Sequence, residues 1–313
     1  MMMMERCSDK IGNANTKMCR KYASKAKKIQ MSSRPERVTL VKLEMPLMIA
    51  HLGTGSRGNC TLLSNDDYNI LIDNGFSGKK LKEKLSILDI TPEEIDGILI
   101  SHHHGDHAKG AIIAEKKWGT NLYCNHTTAN ELEIIDNVNL RVFENLQKID
   151  FGNQISVLPV PVPHEGTDNV GFIISYEGIK SAAVVTDLGA STTELEGHLR
   201  GCEHISIEAN YDERKLMASN YPIGLQNRIM SRGGHLSNNQ TGELLSKVVD
   251  KNTKSITLCH LSENSNKPHI AESTVLYHIS EKFEGDITIS KQSGPEFCHY
   301  IGQIDNERLK TYI

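Results

Sequence analysis

The sequence predicts an α+β chain in which two β-sheets pack together under a cover of helices. Three observations carry that expectation. Apolar runs of strand length alternate with turn signals from Met48 onward, helical stretches are interspersed among them, and the second half repeats the logic of the first. With 313 residues, 38% hydrophobic and 24% charged, the chain can bury such a core, and its composition excludes a collagen-like, wholly disordered or disulfide-scaffold protein.

Taken in order, Leu47–Leu52, Thr61–Ser64 and Tyr68–Ile72 read as strands, with Asn65-Asp66-Asp67 as a hairpin turn. Ser77–Leu88 reads as a helix, and Thr91-Pro92-Glu93-Glu94 as a capped turn beyond it. Ile98–Ile100 is a buried strand that runs straight into a cluster of histidines. Ala108–Trp118 is helical and Asn121–Cys124 a short strand. The second half offers strands near Ile155–Val162, Gly171–Tyr176, Ala182–Thr186, His204–Glu208 and Ser255–Cys259, with helices over Thr241–Asp250 and after Pro268. Two strand-then-Asp-x-Gly segments, ending in Asp73-Asn74-Gly75 and Asp187-Leu188-Gly189, echo each other.

Residues 1–46 differ from this body. They carry few large apolar side chains and a basic cluster at Arg20, Lys21, Lys25, Lys27 and Lys28, so they are expected to form a basic, disordered N-terminal extension or to reflect a start codon placed too early. They hold 11 Lys+Arg against 4 Asp+Glu, and the remainder holds 24 against 35, so the net charge of −4 hides an acidic body. A nucleic-acid partner must then be gripped locally, not by the global field. No stretch approaches the roughly 20 apolar residues of a membrane span, so no membrane partner is expected. The seven cysteines are scattered and never spaced C-x-x-C, and no apolar signal core follows the N-terminal charges. Both point to a reducing, cytoplasmic setting.

Gly53-Thr54-Gly55-Ser56-Arg57-Gly58 matches G-x-G-x-x-G, with Asp73 twenty residues beyond Gly53. A dinucleotide site needs the third glycine to open a helix onto the pyrophosphate. Here a strand follows instead, so the loop is read as a tight turn near the functional face.

The strongest signal is Ser101-His102-His103-His104-Gly105-Asp106-His107. His102 and His104 leave a strand end at period two and so project to one side, while Gly105 is expected to permit a turn that brings Asp106 and His107 to the same pocket. His103 faces the other way. Four ligand-type residues in this spacing at a strand end point to metal binding.

H-x-H-x-D-H after an apolar strand resembles the metallo-β-lactamase fold, an α+β, four-layer αββα sandwich with a dinuclear metal site. The resemblance covers the regular body, implies that residues 47–313 are the catalytic domain, and implies further ligands at strand ends. His164 fits the third histidine of the first metal, Asp187 the carboxylate bridging both metals, and His260 the histidine completing the second; Asp73 resembles an early aspartate that holds a ligating histidine from behind. His104 stands where the oxygen-reducing diiron branch tends to have a glutamate, and Asp187 where secreted β-lactamases use a cysteine, so both of those activities are disfavoured.

Ile207-Glu208-Ala209-Asn210-Tyr211-Asp212, then Tyr221-Pro222, Arg228, Gly234-His235-Leu236-Ser237-Asn238 and His260-Leu261-Ser262-Glu263-Asn264 resemble the WalJ (YycJ) family of bacterial metallo-hydrolases, associated with exonuclease action on DNA. Tyr211 stands where many members have a histidine. The Glu208–His235 pair also resembles ribonuclease Z, where a strand glutamate orients a histidine that donates a proton to the leaving oxygen. What these likenesses imply is a dinuclear phosphodiesterase with a metal-bridging hydroxide, using Asp106, Glu208 and His235 in catalysis and His235 as general acid. Asn210, Arg228, Ser262 and Asn264 are the candidate substrate contacts. The nitrogen and oxygen ligands suit Zn2+ first and Mn2+ second, and nucleic acid, DNA before RNA, is the expected substrate. Two rivals stand beside this reading: a small thioester or lactone hydrolase with the same metals, and a non-enzymatic, metal-stabilised binding module. The histidines at 51, 126, 198, 204, 269, 278 and 299 receive no functional role.

Overall fold

Alternation of apolar side chains pairs the strands of this computed structural model, which describes residues 46–166, 168–295 and 298–302, into two sheets of seven. The first holds β1 (Leu47–Gly53), β2 (Cys60–Ser64), β3 (Asn69–Ile72), β4 (Gly97–Leu99), β5 (Asn121–Asn125), β6 (Leu140–Phe143) and β14 (Cys298–Ile301), in the order β14-β1-β2-β3-β4-β5-β6. The second holds β7 (Ile149–Phe151), β8 (Ile155–Pro161), β9 (Val170–Tyr176), β10 (Ile179–Val185), β11 (His204–Glu208), β12 (Ser255–Cys259) and β13 (Asp286–Ile289), in the order β13-β12-β11-β10-β9-β8-β7.

The alternation decides which residues meet which layer. Leu47 and Ile49 of β1, Ile70 and Ile72 of β3, and Ile155 and Val157 of β8 share one buried cluster with Phe172 and Ile174 of β9, which places it between the sheets. Ala50, Leu52, Leu71 and Ile98 face outward to a second cluster with α1 (Gly78–Ser86), α2 (Gly105–Trp118) and α3 (His126–Glu131), through Leu81, Leu85, Ala108, Ala111 and Ala129. Ala183, Val185, Ile205, Ile207, Ile256 and Leu258 do the same with α4 (Thr193–Leu199), α7 (Asn238–Val248) and α8 (Pro268–Ile279). Three apolar seams make four layers, the αββα sandwich expected from the sequence. Two further helices, α5 (Glu213–Met217) and α6 (Ile223–Met230), contribute no residue to these clusters.

The short edge strands β6, β7, β13 and β14 and the helices α3 to α6 were not anticipated from apolar patterning, since most are too short to display a period. The expected extension over residues 1–46 lies outside the described residues apart from Pro46. Among the described residues no helix is long and apolar enough to cross a membrane.

Candidate metal centre

Each sheet changes from antiparallel to parallel pairing at one strand: β3 in the first, antiparallel to β2 but parallel to β4, and β10 in the second, antiparallel to β9 but parallel to β11. Carboxyl ends of parallel strands are where such sheets present ligand-binding side chains. Asp73 follows β3, Ser101 and His102 lie just beyond β4, Asp187 follows β10, Glu208 ends β11 and His260 follows β12. Asp73, Asp187 and His260 all adopt left-handed backbone conformations, with φ of 59°, 52° and 54°. Such conformations cost non-glycine residues energy and collect at functional sites. The Asp-x-Gly echo has a physical basis as well. A Cβ on Gly75 would lie 1.9 Å from the Asp106 carbonyl oxygen, and one on Gly189 2.1 Å from that of Arg232, so both turns press against another stretch of backbone.

The H-x-H-x-D-H segment is built differently from the expected glycine turn. α2 already begins at Gly105, with His104 as its N-cap residue, so Asp106 and His107 occupy its first turn. Gly105 is not in a positive-φ conformation, and a Cβ there would meet nothing within 4 Å. The helix start, not glycine freedom, turns these two side chains inward, and its dipole favours the Asp106 carboxylate.

The donor atoms gather into three groups, each within 4.8 Å of its own members: His102, His104 and His164; Asp106, His107, Asp187 and His260; and, sharing two members with the second, Asp187, Glu208, His235 and His260. The first two bring together the residues that the resemblance pairs as candidate ligands, with Asp187 grouped with the second. Partners behind the imidazoles orient them. His107 Nδ1 lies 2.7 Å from Asp73 Oδ2, which leaves Nε2 toward Asp187. His164 Nδ1 lies 2.8 Å from the Gly234 carbonyl oxygen, and His102 Nδ1 3.0 Å from Ser101 Oγ, whose own hydroxyl donates to Asp73 Oδ2. Asp187 touches the first two groups, with Oδ2 near His107 and 3.6 Å from His102, and Oδ1 3.0 Å from His260. His103 turns away toward the Gly166 loop.

Glu208, fully buried, spends every acceptor site. Oε1 lies 2.8 Å from both His235 Nδ1 and His260 Nδ1, and Oε2 accepts from the backbone N–H of Leu188 and Leu236. It therefore holds His260, a candidate ligand, as well as His235. His235 Nε2 has no partner among the described residues, and the side chain is 22% exposed.

Charge explains the protonation states of the metal-free chain. Burial lowers the affinity of His235 for a proton, but the Glu208 carboxylate and hydrogen bonds to Asp187 and Glu208 outweigh it and push its pKa up to about 11. Burial also opposes protonation of His260, and Asp187 with Asp106 and Glu208 overcomes it, raising it to about 9. His107 is raised well above its usual range in the same way, burial again being outweighed by Asp187 and Asp73. His102 and His104 lie lower, first through burial and then through neighbouring imidazoles. Burial would raise Asp187, but His260 and His107 hold it well below the ordinary carboxylate range.

The residues fit divalent cations. Asp187 Oδ1 and His260 Nε2 are buried without a well-aligned hydrogen bond, an expensive arrangement unless something else takes their lone pairs. The donors are imidazole nitrogens and carboxylate oxygens, the set that suits zinc, manganese or iron.

Sequence reasoning missed Asn59. Its Nδ2 lies 2.8 Å from His107 Nε2 and 3.2 Å from Asp106 Oδ2, while its Oδ1 accepts from the Thr54 hydroxyl and the Gly55 N–H. The G-x-G-x-x-G loop leads directly into this residue, with Gly53, Gly55 and Gly58 at φ of 155°, 129° and 134°. Asparagine immediately after the last glycine was the available signal. The candidate substrate contacts are already engaged. Asn210 Nδ2 donates to the His260 carbonyl, Ser262 Oγ accepts from Ser265, Asn264 Nδ2 donates to the Tyr221 hydroxyl, and Arg228 pairs with Glu165. Tyr211 is buried and makes an isolated bridge to Ser237.

Residues 68–260 match the Beta-lactamase superfamily domain. The chain is 31% identical over 236 residues to Exodeoxyribonuclease WalJ of Streptococcus pneumoniae serotype 2 (strain D39 / NCTC 7466), covering 74% of this chain and 87% of that protein. It is 28% identical over 241 residues to Exodeoxyribonuclease YycJ of Bacillus anthracis, covering 76% and 91%. Among solved structures, the metallo-beta-lactamase fold protein YhfI from Bacillus subtilis superposes with a TM-score of 0.59 at 16% identity, over 82% of this chain and 99% of that one.

Proposed function

The chain belongs to the beta-lactamase superfamily, and from that membership we propose that it is a dinuclear metal-dependent phosphodiesterase, an exonuclease acting on DNA. The observation that carries this reading is His235. It sits beside both donor groups with Nδ1 held 2.8 Å from Glu208 and Nε2 uncommitted. A sugar alkoxide is a poor leaving group and needs a proton as it departs, whereas a thioester expels a thiolate, which leaves without one. The exodeoxyribonuclease relatives support DNA over RNA.

His102, His104 and His164 would hold one ion, and Asp106, His107 and His260 the other, with Asp187 between them. Bound there, divalent ions supply an attacking water of lowered pKa and offset the charge that develops on the phosphoryl oxygens. Zinc is the ion this donor set favours by affinity, with manganese as its competitor. Glu208 keeps His235 in one orientation and in its charged form, so the proton on Nε2 is aimed at the leaving oxygen. Asp73 and the Gly234 carbonyl keep the ligand imidazoles turned inward. Residues 47–313 form the catalytic domain, residues 1–46 a basic extension, and a reducing cytoplasmic compartment suits the buried thiols of Cys60, Cys124 and Cys259.

His235→Ala tests the reading. Both metals and the melting temperature should stay near wild type, while cleavage of a DNA strand slows about 10²–10⁴-fold. Bis(p-nitrophenyl) phosphate, whose leaving group departs unprotonated, should slow much less. Equal slowing of both substrates would make His235 a positioning group, and no slowing of either would favour the small-ester hydrolase.

A further inference from the structure

We infer that the segment Asp212–Arg232, an arm of two short helices standing beside the donor groups, is the surface that takes the single-stranded nucleic acid leading away from the scissile phosphate. Its cations would meet phosphates and its exposed apolar side chains would meet unstacked bases. The inference rests on the phosphodiesterase reading above and adds to it where the rest of the strand lies.

The arm is anchored at both ends in the segments that carry the candidate ligands. At its start, the Asp212 N–H donates to the Ser265 carbonyl at 2.9 Å, and Asp212 caps α5 by accepting from the Lys215 N–H. At its end, the His235 N–H donates to the Ile229 carbonyl at 2.9 Å. A Cβ on Gly234 would lie 2.2 Å from the Ile229 oxygen and 2.3 Å from that of Arg228, so the close of α6 is seated directly on the residue whose carbonyl orients His164. Gly189, two residues after Asp187, is pressed in the same way against the Arg232 carbonyl. The arm cannot shift without moving the turns that place Asp187, His164 and His235. It is a fixed wall of the site.

Its chemistry departs from the rest of the body. Arg214, Lys215, Arg228 and Arg232 outnumber the two carboxylates of the segment, Asp212, which caps α5, and Glu213, which accepts from Asn239. From residue 47 onward the chain as a whole carries more acidic than basic residues. Local cations on an acidic protein are the electrostatic signature of a phosphate track. The arm also shows apolar surface that fills no core: none of the eight residues of α6 is buried, Ile223 is 76% exposed and Met217 60%. Apolar side chains interleaved with cations are what a single strand uses, because its bases present unstacked faces and its phosphates run alongside. A duplex, with its bases stacked inside, would leave Ile223 and Met217 without a role. Arg228 is paired with Glu165, next to His164. The pair is exposed and screened, so an incoming phosphate can compete for the guanidinium.

The test is steady-state cleavage of a labelled 15-nucleotide single strand by the metal-loaded full chain at several salt concentrations. Arg214→Ser combined with Arg232→Ser should raise KM about tenfold or more at low salt, and should flatten the dependence of log KM on log salt by about 1.4, roughly 0.7 per lost contact with a single strand. Ile223→Ser with Met217→Ser should weaken binding of the single strand by several-fold, and binding of a duplex of the same length far less. Unchanged KM and salt slope in the charge variant overturn the proposal, and if wild type still hydrolyses bis(p-nitrophenyl) phosphate the phosphodiesterase reading survives that failure. A wild type inactive on both substrates fails the reading itself. If the Ile223/Met217 variant instead turns a dimer into a monomer in solution, the apolar face belongs to a second copy of this chain and the proposal falls.

Discussion

Two buried histidine clusters in this molecule are built from the same residue type and behave oppositely. One lies between the sheets. His51 of β1 bonds Thr61 and reaches across to Ser206 of β11; His204 bonds Ser206 and Ser255; His299 of β14 meets Thr257 and stacks on His204 at 4.2 Å between ring centroids. Its hydrogen-bond partners are hydroxyls, and the Asp286 charge that favours the proton on His299 does not outweigh burial. Burial, aided by the neighbouring imidazoles, lowers His51 to about 3 and His204 well below its usual range, and burial lowers His299 to about 4. The other cluster lies at the strand ends, surrounded by Asp73, Asp106, Asp187 and Glu208, and there His107, His235 and His260 are raised despite burial. The hydroxyl cluster bonds both ring nitrogens of His51 and His204, whereas the carboxylate cluster leaves Asp187 Oδ1 and His260 Nε2 buried without a well-aligned hydrogen bond. A histidine count does not mark a metal centre. Carboxylates and unspent lone pairs do.

The largest expected effect follows from that contrast. The Asp187 carboxylate touches both donor groups, so Asp187→Ala should bring turnover to background, release metal and lower the melting temperature together. Elemental analysis and calorimetry check it, and a variant that keeps two tight ions and normal turnover would break the distinction between the clusters. Glu208→Gln should come next. Because Glu208 holds His260 as well as His235, the variant should weaken metal affinity and slow substrates with good and poor leaving groups alike, unlike His235→Ala. Asp73→Asn removes the charge behind His107 and should cost about 10–100-fold in metal affinity, measured by competition with a chelator.

The smallest effect on turnover belongs to the hydroxyl cluster, whose contribution appears in stability. Native values of about 3 for His51 and about 4 for His299 lie below the 6.5 of an unfolded histidine, so between those limits the unfolded chain alone takes up the proton. The cluster's contribution is complete above pH 6.5 and is lost as pH falls toward 3–4, at a cost on the order of 3–5 kcal/mol per histidine. His51→Gln, which keeps a donor and an acceptor but does not titrate, should flatten the fall of melting temperature between pH 6.5 and 4. An unchanged slope would mean that His51 is not held neutral by its surroundings.

How much was legible depended on how local each feature is. His102, His104, Asp106 and His107 could be read because six consecutive residues carry them, although the helix start at Gly105 was mistaken for a turn. His164, Asp187 and His260 each stand alone in the chain and became legible through their order and their strand ends. Asn59 was passed over because its importance lies in meeting His107, 48 residues away. The arm over Asp212–Arg232 escaped notice as a unit because α5 and α6 are too short for a period to show.

By itself the sequence determined which side chains face which layer, since alternation along each strand is a property of neighbours, and it determined the chemistry of the donors. The tertiary structure alone decided that these donors meet. Asp73 and His102 follow strands of one sheet and His107 opens the helix after it, Asp187, Glu208 and His260 stand at strand ends of the other, and they converge because the parallel halves of both sheets open toward the same end of the sandwich. That convergence also separates the two histidine clusters. Residues of one kind become neutral packing groups where hydroxyls bond them, and charged or ligating groups where carboxylates from distant strands close in, because in a buried place the nearest charge sets the protonation state.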